Sequence, residues 1–206
     1  MGKPFLELTE AQIERTMGVN CLAHFWVTRQ FLPEMVQRDD GVIVGMSSLM
    51  GIMAGASLSD YCASKWAING LLESIRLEMR RCRKWGVSTL TVCPFAVNTG
   101  MFTGIFRSPS SDSFIRRFLF PFLSPQGVAA EVVKSLQRRD ALLVLPWALR
   151  YIPFIARLFP VGLYDWAVEL MAGCHGMDDF KGRGHAWSMG AQGAVASSCK
   201  PEKAQR

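Results

Sequence analysis

Six cysteines stand at positions 21, 62, 82, 93, 174 and 199 with no C-x-x-C pair, and only Cys174 and His175 are adjacent. That spacing excludes a zinc ribbon or finger and points to free thiols in a reducing compartment, with no metal site expected. Charge is sparse as well: 19% of the 206 residues are charged, 23 basic against 17 acidic, for a net +6. No stretch of eighteen uncharged apolar residues occurs, so a simple transmembrane span is not expected. The first thirty residues carry Glu7, Glu10 and Glu14 without an apolar run, so they do not read as a signal peptide. Half of the residues are apolar, which excludes disorder over most of the length and suits one domain with a core.

Hydrophobic periodicity orders the rest. Thr9 with Gln12 forms a capping box, and Ile13, Met17, Cys21 and Phe25 repeat at helical spacing. A helix is predicted from about Thr9 to about Met35, bent or broken near Pro33. Gly41–Met46 (GVIVGM) is continuously apolar and suits a strand buried on both faces of a parallel sheet. A second helix is predicted over Tyr61–Lys84 with Ile68, Leu71, Leu72, Ile75 and Met79 on its apolar face. Arg80, Arg81, Arg83 and Lys84 gather at its end, where cations complement the helix dipole. No aromatic side chains interleave with them, so nucleic acid is not an expected partner.

A strand follows at Val87–Phe95, then a long irregular segment over 99–125 bearing six phenylalanines, a helix at Gln126–Arg138 and a strand at Ala141–Leu145. This strand–helix–strand alternation predicts an α/β fold with a parallel sheet. Residues 146–172 mix Trp147, Tyr151, Phe154 and Trp166 with Arg150, Arg157 and prolines, and read either as a helical cap on the core or as an interfacial membrane segment. Residues 188–206 are small and polar and are expected to be disordered.

The sharpest chemical signal is Tyr61-Cys62-Ala63-Ser64-Lys65. On a helix, positions i and i+4 share a face, so the Lys65 ammonium can approach the Tyr61 phenol and lower its pKa from about 10 toward neutrality. Chance alone supplies about 0.1 such pairs in a chain of this composition. Ser48 strengthens the signal, because it follows the strand over 41–46 and the carboxyl ends of parallel strands are where ligands bind. A hydroxyl there can hydrogen-bond a substrate carbonyl. Ser47 competes for that role, since alternation sends neighbouring side chains to opposite faces.

Ser48 followed by Tyr61-x-x-x-Lys65, with Val19-Asn20 ahead in a helix, resembles the short-chain dehydrogenase/reductase family. Pro94-Phe95-Ala96-Val97-Asn98-Thr99 is similar to that family's proline–glycine nucleotide segment, with Phe95 in place of the usual glycine. The likeness covers about residues 5–145, and VNCLAHFWVTRQFLPEM, DYCASK and ALLVLPW resemble the membrane-associated retinol dehydrogenase/retinal reductase group. The resemblance implies a Rossmann-like doubly wound parallel sheet and a catalytic set of Asn20, Ser48, Tyr61 and Lys65. Tyr61 would exchange a proton with the alcohol oxygen while hydride moves between the substrate carbon and nicotinamide C4. Lys65 would lower the Tyr61 pKa and bind the nicotinamide ribose, Ser48 would polarise the carbonyl, and Asn20 would hold a water leading to Lys65. Pro94, Val97 and Thr99 would shape and contact the nicotinamide site, with Tyr61 and Lys65 also on the cofactor. His24, one turn beyond Asn20, reads as packing, with catalysis a minor alternative.

The family's glycine-rich βα turn, which holds the pyrophosphate at a helix N-terminus, is missing. The chain therefore reads as the C-terminal portion of the fold, lacking roughly 100 residues at about 30 per βαβ unit. Residues 1–145 would be the truncated domain, 146–187 an amphipathic extension and 188–206 a tail. The expected function is interconversion of a lipophilic alcohol and carbonyl, retinol and retinal foremost, with NADP or NAD and NADP favoured. The alternative is an inactive isoform that pairs with full-length relatives. Partners expected from the resemblance are a retinoid or other lipophilic small molecule and a second subunit through helices 9–35 and 61–84. Contact with the cytosolic face of the endoplasmic reticulum membrane or a lipid droplet is expected too.

Overall fold

The computed structural model describes residues 2–99, 121–151 and 158–170. The first rod is a helix in two parts. Thr9 caps α1 (Glu10–Met17): the Gln12 N–H donates to the Thr9 hydroxyl and the Thr9 N–H donates to Gln12 Oε1, both at 3.3 Å. A π-helical turn over Gly18–Leu22 joins α1 to α2 (Ala23–Arg38). The interruption thus falls at 18–22 and not at Pro33, which lies inside α2. Pro33 is exposed, so the Arg29 carbonyl deprived of its helical N–H faces water and the helix runs on. It ends at Asp39, which adopts the left-handed conformation.

Three parallel strands follow in the order β1 (Gly41–Met46), β2 (Val87–Pro94) and β3 (Leu142–Leu145). Gly41 pairs with Val87 and Met46 with Val92, and Thr91 to Pro94 pair with Leu142 to Leu145. Helix α3 (Ser59–Arg81) connects β1 to β2, and α4 (Pro125–Arg138) precedes β3. Helix α3 stops at Arg81, short of Lys84, because Arg83 takes a positive φ and turns the chain toward β2. A 3₁₀ turn at Trp147–Arg150 and helix α5 (Val161–Leu170) follow β3, and shorter 3₁₀ turns lie at Phe5–Glu7 and Leu49–Gly51. Most of the phenylalanine-rich segment and the tail expected to be disordered lie outside the described residues.

Alternation along β2 sends its two sets of side chains to different helices. Val87 packs with Ile75 and Met79 of α3, and the Thr89 hydroxyl donates to the Leu72 carbonyl of α3 at 3.2 Å. Leu90 and Val92 pack with Leu143 against Val132 and Leu136 of α4. Helices therefore cover both faces of β2, whose interior is essentially closed to solvent. Strand β1 is different. Its Gly45 lies so near Leu72 and Ile68 that an added Cβ would meet the Leu72 side chain, but Val44 and Met46 on the other face are 36% and 44% exposed. They stand beside Leu90 and Val92 in register, on the face where α4 covers β2 and β3 but does not reach β1. The expectation of a strand buried on both faces holds for β2 and fails for β1.

Candidate active site

The carboxyl end of β1 and the turn after it are tied to β2 and to the first turns of α3 by hydrogen bonds. Ser47 continues the β1 ladder by donating its N–H to Val92 O at 2.8 Å, and its hydroxyl donates to the Lys65 carbonyl at 3.1 Å. Asn69 Nδ2, one turn further along α3, donates to Gly51 O at 2.8 Å. Gly51 is required by this approach: a Cβ there would strike the Ser47 hydroxyl and lie 3.0 Å from Lys65 O. The Ser47 hydroxyl is thus engaged by helix backbone, and Ser48 is placed differently. Its hydroxyl accepts the Met50 N–H at 3.2 Å and lies within hydrogen-bonding reach of the Tyr61 phenol. The two serines thus differ in what they touch: Ser47 engages the α3 backbone and Ser48 faces the Tyr61 phenol.

Tyr61 and Lys65 share a face of α3 as the i, i+4 spacing predicts, with Lys65 Nζ 5.6 Å from the tyrosine ring centroid. The ammonium does not reach out toward bulk water; it donates to the Met46 carbonyl at 2.7 Å, at the last residue of β1. Here the expected electrostatics are corrected. Burial pushes the Tyr61 phenol above its ordinary pKa, with the Ser48 hydrogen bond opposing, and the expected depression by Lys65 does not prevail. Lys65 in turn is lowered by burial, with the Cys93 thiol opposing. At neutral pH the phenol therefore keeps its proton and can give it away.

Asn20 reaches this site from the other rod. Its Nδ2 donates to the Ser64 hydroxyl at 3.1 Å, and Ser64 donates to the Tyr61 carbonyl at 2.7 Å. One turn earlier the Thr16 hydroxyl donates to the buried Asp60 carboxylate at 2.7 Å. The rungs 16–60 and 20–64 have the same offset, so the rod and α3 run side by side in fixed register with the π-turn beside the Tyr61–Lys65 face. Thr16, Asp60, Ser64 and Asn69 thus join the residues expected at the site. Their signal in the sequence is weak: Thr16 and Asn69 are polar positions four residues from Asn20 and Lys65, and Asp60 and Ser64 are polar neighbours of Tyr61 and Lys65.

Pro94 ends β2 at the same edge. Beyond it the Phe95 N–H donates to Leu145 O at 2.8 Å, Val97 bridges to Leu123, and the Thr99 N–H donates to Val97 O at 2.7 Å. The Thr99 hydroxyl is at the surface and only weakly engaged, 3.4 Å from Val97 O. Beneath this edge Cys93 is buried next to Asn69 Oδ1 (3.9 Å) and burial raises its thiol to about 11, which makes it inert packing. An exposed threonine hydroxyl after β2, with a lysine ammonium and a tyrosine on α3, suits the nicotinamide–ribose end of a dinucleotide. Among the described residues no glycine-rich βα turn suits the pyrophosphate end, because Gly45 and Gly51 serve close packing.

A parallel sheet covered on both faces at β2, with serine, tyrosine and lysine at its carboxyl edge, defines an α/β fold of the doubly wound class. The short chain dehydrogenase family model matches residues 1–109, and the chain belongs to that family. Among curated relatives, human retinol dehydrogenase 10 is 35% identical over 159 residues, 77% of this chain and 45% of its own. Mouse epidermal retinol dehydrogenase 2 is 31% identical over 182 residues, 88% of this chain and 57% of its own. The chain thus spans about half the length of the curated relatives it matches. Among solved structures, 4-hydroxyisoleucine dehydrogenase complexed with NADH superposes with a TM-score of 0.59 at 21% identity, covering 70% of this chain and 62% of that one. A short-chain dehydrogenase from Streptomyces avermitilis gives 0.59 at 23% identity over 82% and 64%. Nothing in these matches supports an inactive modulator.

Proposed function

We propose that the protein is a nicotinamide-dependent oxidoreductase that interconverts a lipophilic alcohol and its carbonyl, with retinol and retinal the leading pair. The observation that carries this reading is the convergence of Ser48, Tyr61, Lys65 and Asn20 at the carboxyl edge of one parallel sheet. The retinoid assignment rests on the two relatives named as retinol dehydrogenases.

Ser48 donates a hydrogen bond to the substrate oxygen. Tyr61, protonated at neutral pH, delivers its proton to that oxygen during reduction. Lys65 and Thr99 would hold the ribose and carboxamide ends of the cofactor, with Pro94 and Val97 fixing the loop. Asn20 holds a water within reach of Lys65. A nicotinamide bound there would supply or accept the hydride, with NADP favoured over NAD.

Self-association through α1–α2 and α3 is supported by the exposure of Leu22, Phe25, Trp26 and Phe31 on the first rod and Trp66 on α3. Contact with the endoplasmic reticulum or lipid-droplet surface is supported by exposed Trp147, Tyr151, Phe159 and Trp166 after β3. Flotation on liposomes tests this contact: replacing Trp147 and Trp166 by serine abolishes it, and unchanged flotation removes the assignment. For the substrate class, the protein in its natural form is given NADPH with all-trans-retinal or with propanal. Retinal is reduced preferentially; no turnover of any lipophilic carbonyl would overturn the reading.

A further inference from the structure

Two rungs tie the first rod to α3, Thr16 to Asp60 and Asn20 to Ser64, each with an offset of 44 residues. One helical turn further the same register sets His24 against the segment of α3 that carries Lys65 and Ile68. His24 is half-buried where the π-turn gives way to α2. Its Nδ1 is buried and finds no hydrogen-bond partner among the described residues, which is costly for a polar ring unless something else engages it. The Asn20 carbonyl lies near enough to the ring to raise its basicity, and the Lys65 ammonium near enough to lower it. Packing alone does not account for an imidazole whose inner nitrogen is left in this state beside an ammonium.

We propose that His24 is the outer member of the proton relay serving Tyr61, passing protons between solvent and Lys65 through a water held by Asn20. The proposal rests on the oxidoreductase reading of the same site. During reduction the Tyr61 phenol gives its proton to the substrate oxygen, Lys65 reprotonates the phenolate, and the water reprotonates Lys65. His24 then returns a proton to that water from Nδ1 and takes one from solvent at Nε2, so one proton enters per carbonyl reduced. Oxidation runs the same chain outward.

The surrounding charges suit this task. Burial lowers the His24 pKa first and the Lys65 charge lowers it further, so the ring is neutral at physiological pH and able to accept at one nitrogen while releasing from the other. Tyr61 and Cys62 on α3 and Cys21 on the rod have their pKa values raised by burial, so they add no charge at neutral pH. Asp60 is bound to Thr16 two rungs away.

Two measurements test the relay. NMR titration of the chain follows its three histidines, 24, 175 and 185, with His24→Gln identifying the resonance. His24 titrates below the ordinary imidazole value, and Lys65→Met moves it upward, because removal of a neighbouring positive charge favours protonation. A His24 pKa that does not move in Lys65→Met overturns the proposal whether or not turnover is observed. In the active protein, His24→Ala lowers kcat at least tenfold with little change in KM, and added imidazole restores most of it; His24→Gln is equally slow. A structural histidine would show no such rescue, so full activity in both variants, or loss without imidazole rescue, also overturns it. Absence of turnover in the unsubstituted protein counts against the oxidoreductase reading, and the titration then decides the pairing of His24 with Lys65 by itself.

Discussion

Strands β1 and β2 are neighbours in one sheet and have similarly apolar sequences, yet they live in different surroundings. Helices α3 and α4 enclose β2, leaving Leu90, Val92 and Cys93 at 1% exposure or less. Strand β1 is closed by α2 and α3 on one side and open on the other, where Val44 and Met46 meet solvent. An apolar run therefore reports that a strand is suited to burial, while the reach of the flanking helices decides how much of it is buried. The site draws on both strands. It takes its serines from the end of β1 and its Pro94–Thr99 loop from the end of β2.

The contrast is broken most strongly from the β2 side. Leu90→Ala is expected to cost about 2–5 kcal/mol through the cavity left between α4 and the sheet. Val44→Ala, at the paired position on β1, should cost under about 1 kcal/mol, and urea unfolding midpoints of the two variants measure the ratio. Equal losses would mean that β1 is covered after all.

Alkaline pH separates the strands next. The Cys93 thiol has a folded-state pKa raised from 9.0 to about 11, so the folded state holds its proton where the unfolded state has released it. Stability is therefore full below pH 9 and falls as pH rises from about 9 to 11, by about 2–3 kcal/mol at 1.36 kcal/mol per unit. Cys93→Ala should flatten that part of the stability profile, and an unchanged profile would place the alkaline loss elsewhere.

Smaller effects belong to β1. Gly45→Ala forces a methyl group against Leu72 and should cost about 1–3 kcal/mol, since a packed interface yields only partly. Met46→Lys, on the open face, should leave stability within about 0.5 kcal/mol and raise solubility by placing charge on an apolar surface. A cooperative loss in thermal unfolding of Met46→Lys would contradict the open face.

Much of this architecture was legible before any coordinates. The capping box at Thr9, the apolar face of α3 and the pairing of Tyr61 with Lys65 follow from local periodicity, and each is present. The break in the first rod was not legible, because a proline is a visible signal and a π-turn over Gly18–Leu22 is not. The open face of β1 was hidden for a similar reason: it depends on how far α4 extends, which no window of β1 contains. The tyrosine's electrostatics failed on magnitude. Sequence gives the neighbour, Lys65, but not the burial that raises the phenol against its hydrogen bond with Ser48.

The measurement closest to the central claim compares the protein in its natural form with its Tyr61→Phe variant in NADPH-dependent reduction of all-trans-retinal. Removing the phenolic proton while keeping the ring should lower kcat at least a hundredfold, with unfolding stability nearly unchanged, which corresponds to about 2.7 kcal/mol of barrier at 1.36 kcal/mol per tenfold. Retinal reduction that persists at the unsubstituted rate in Tyr61→Phe would contradict the assignment of this strand edge as the active site.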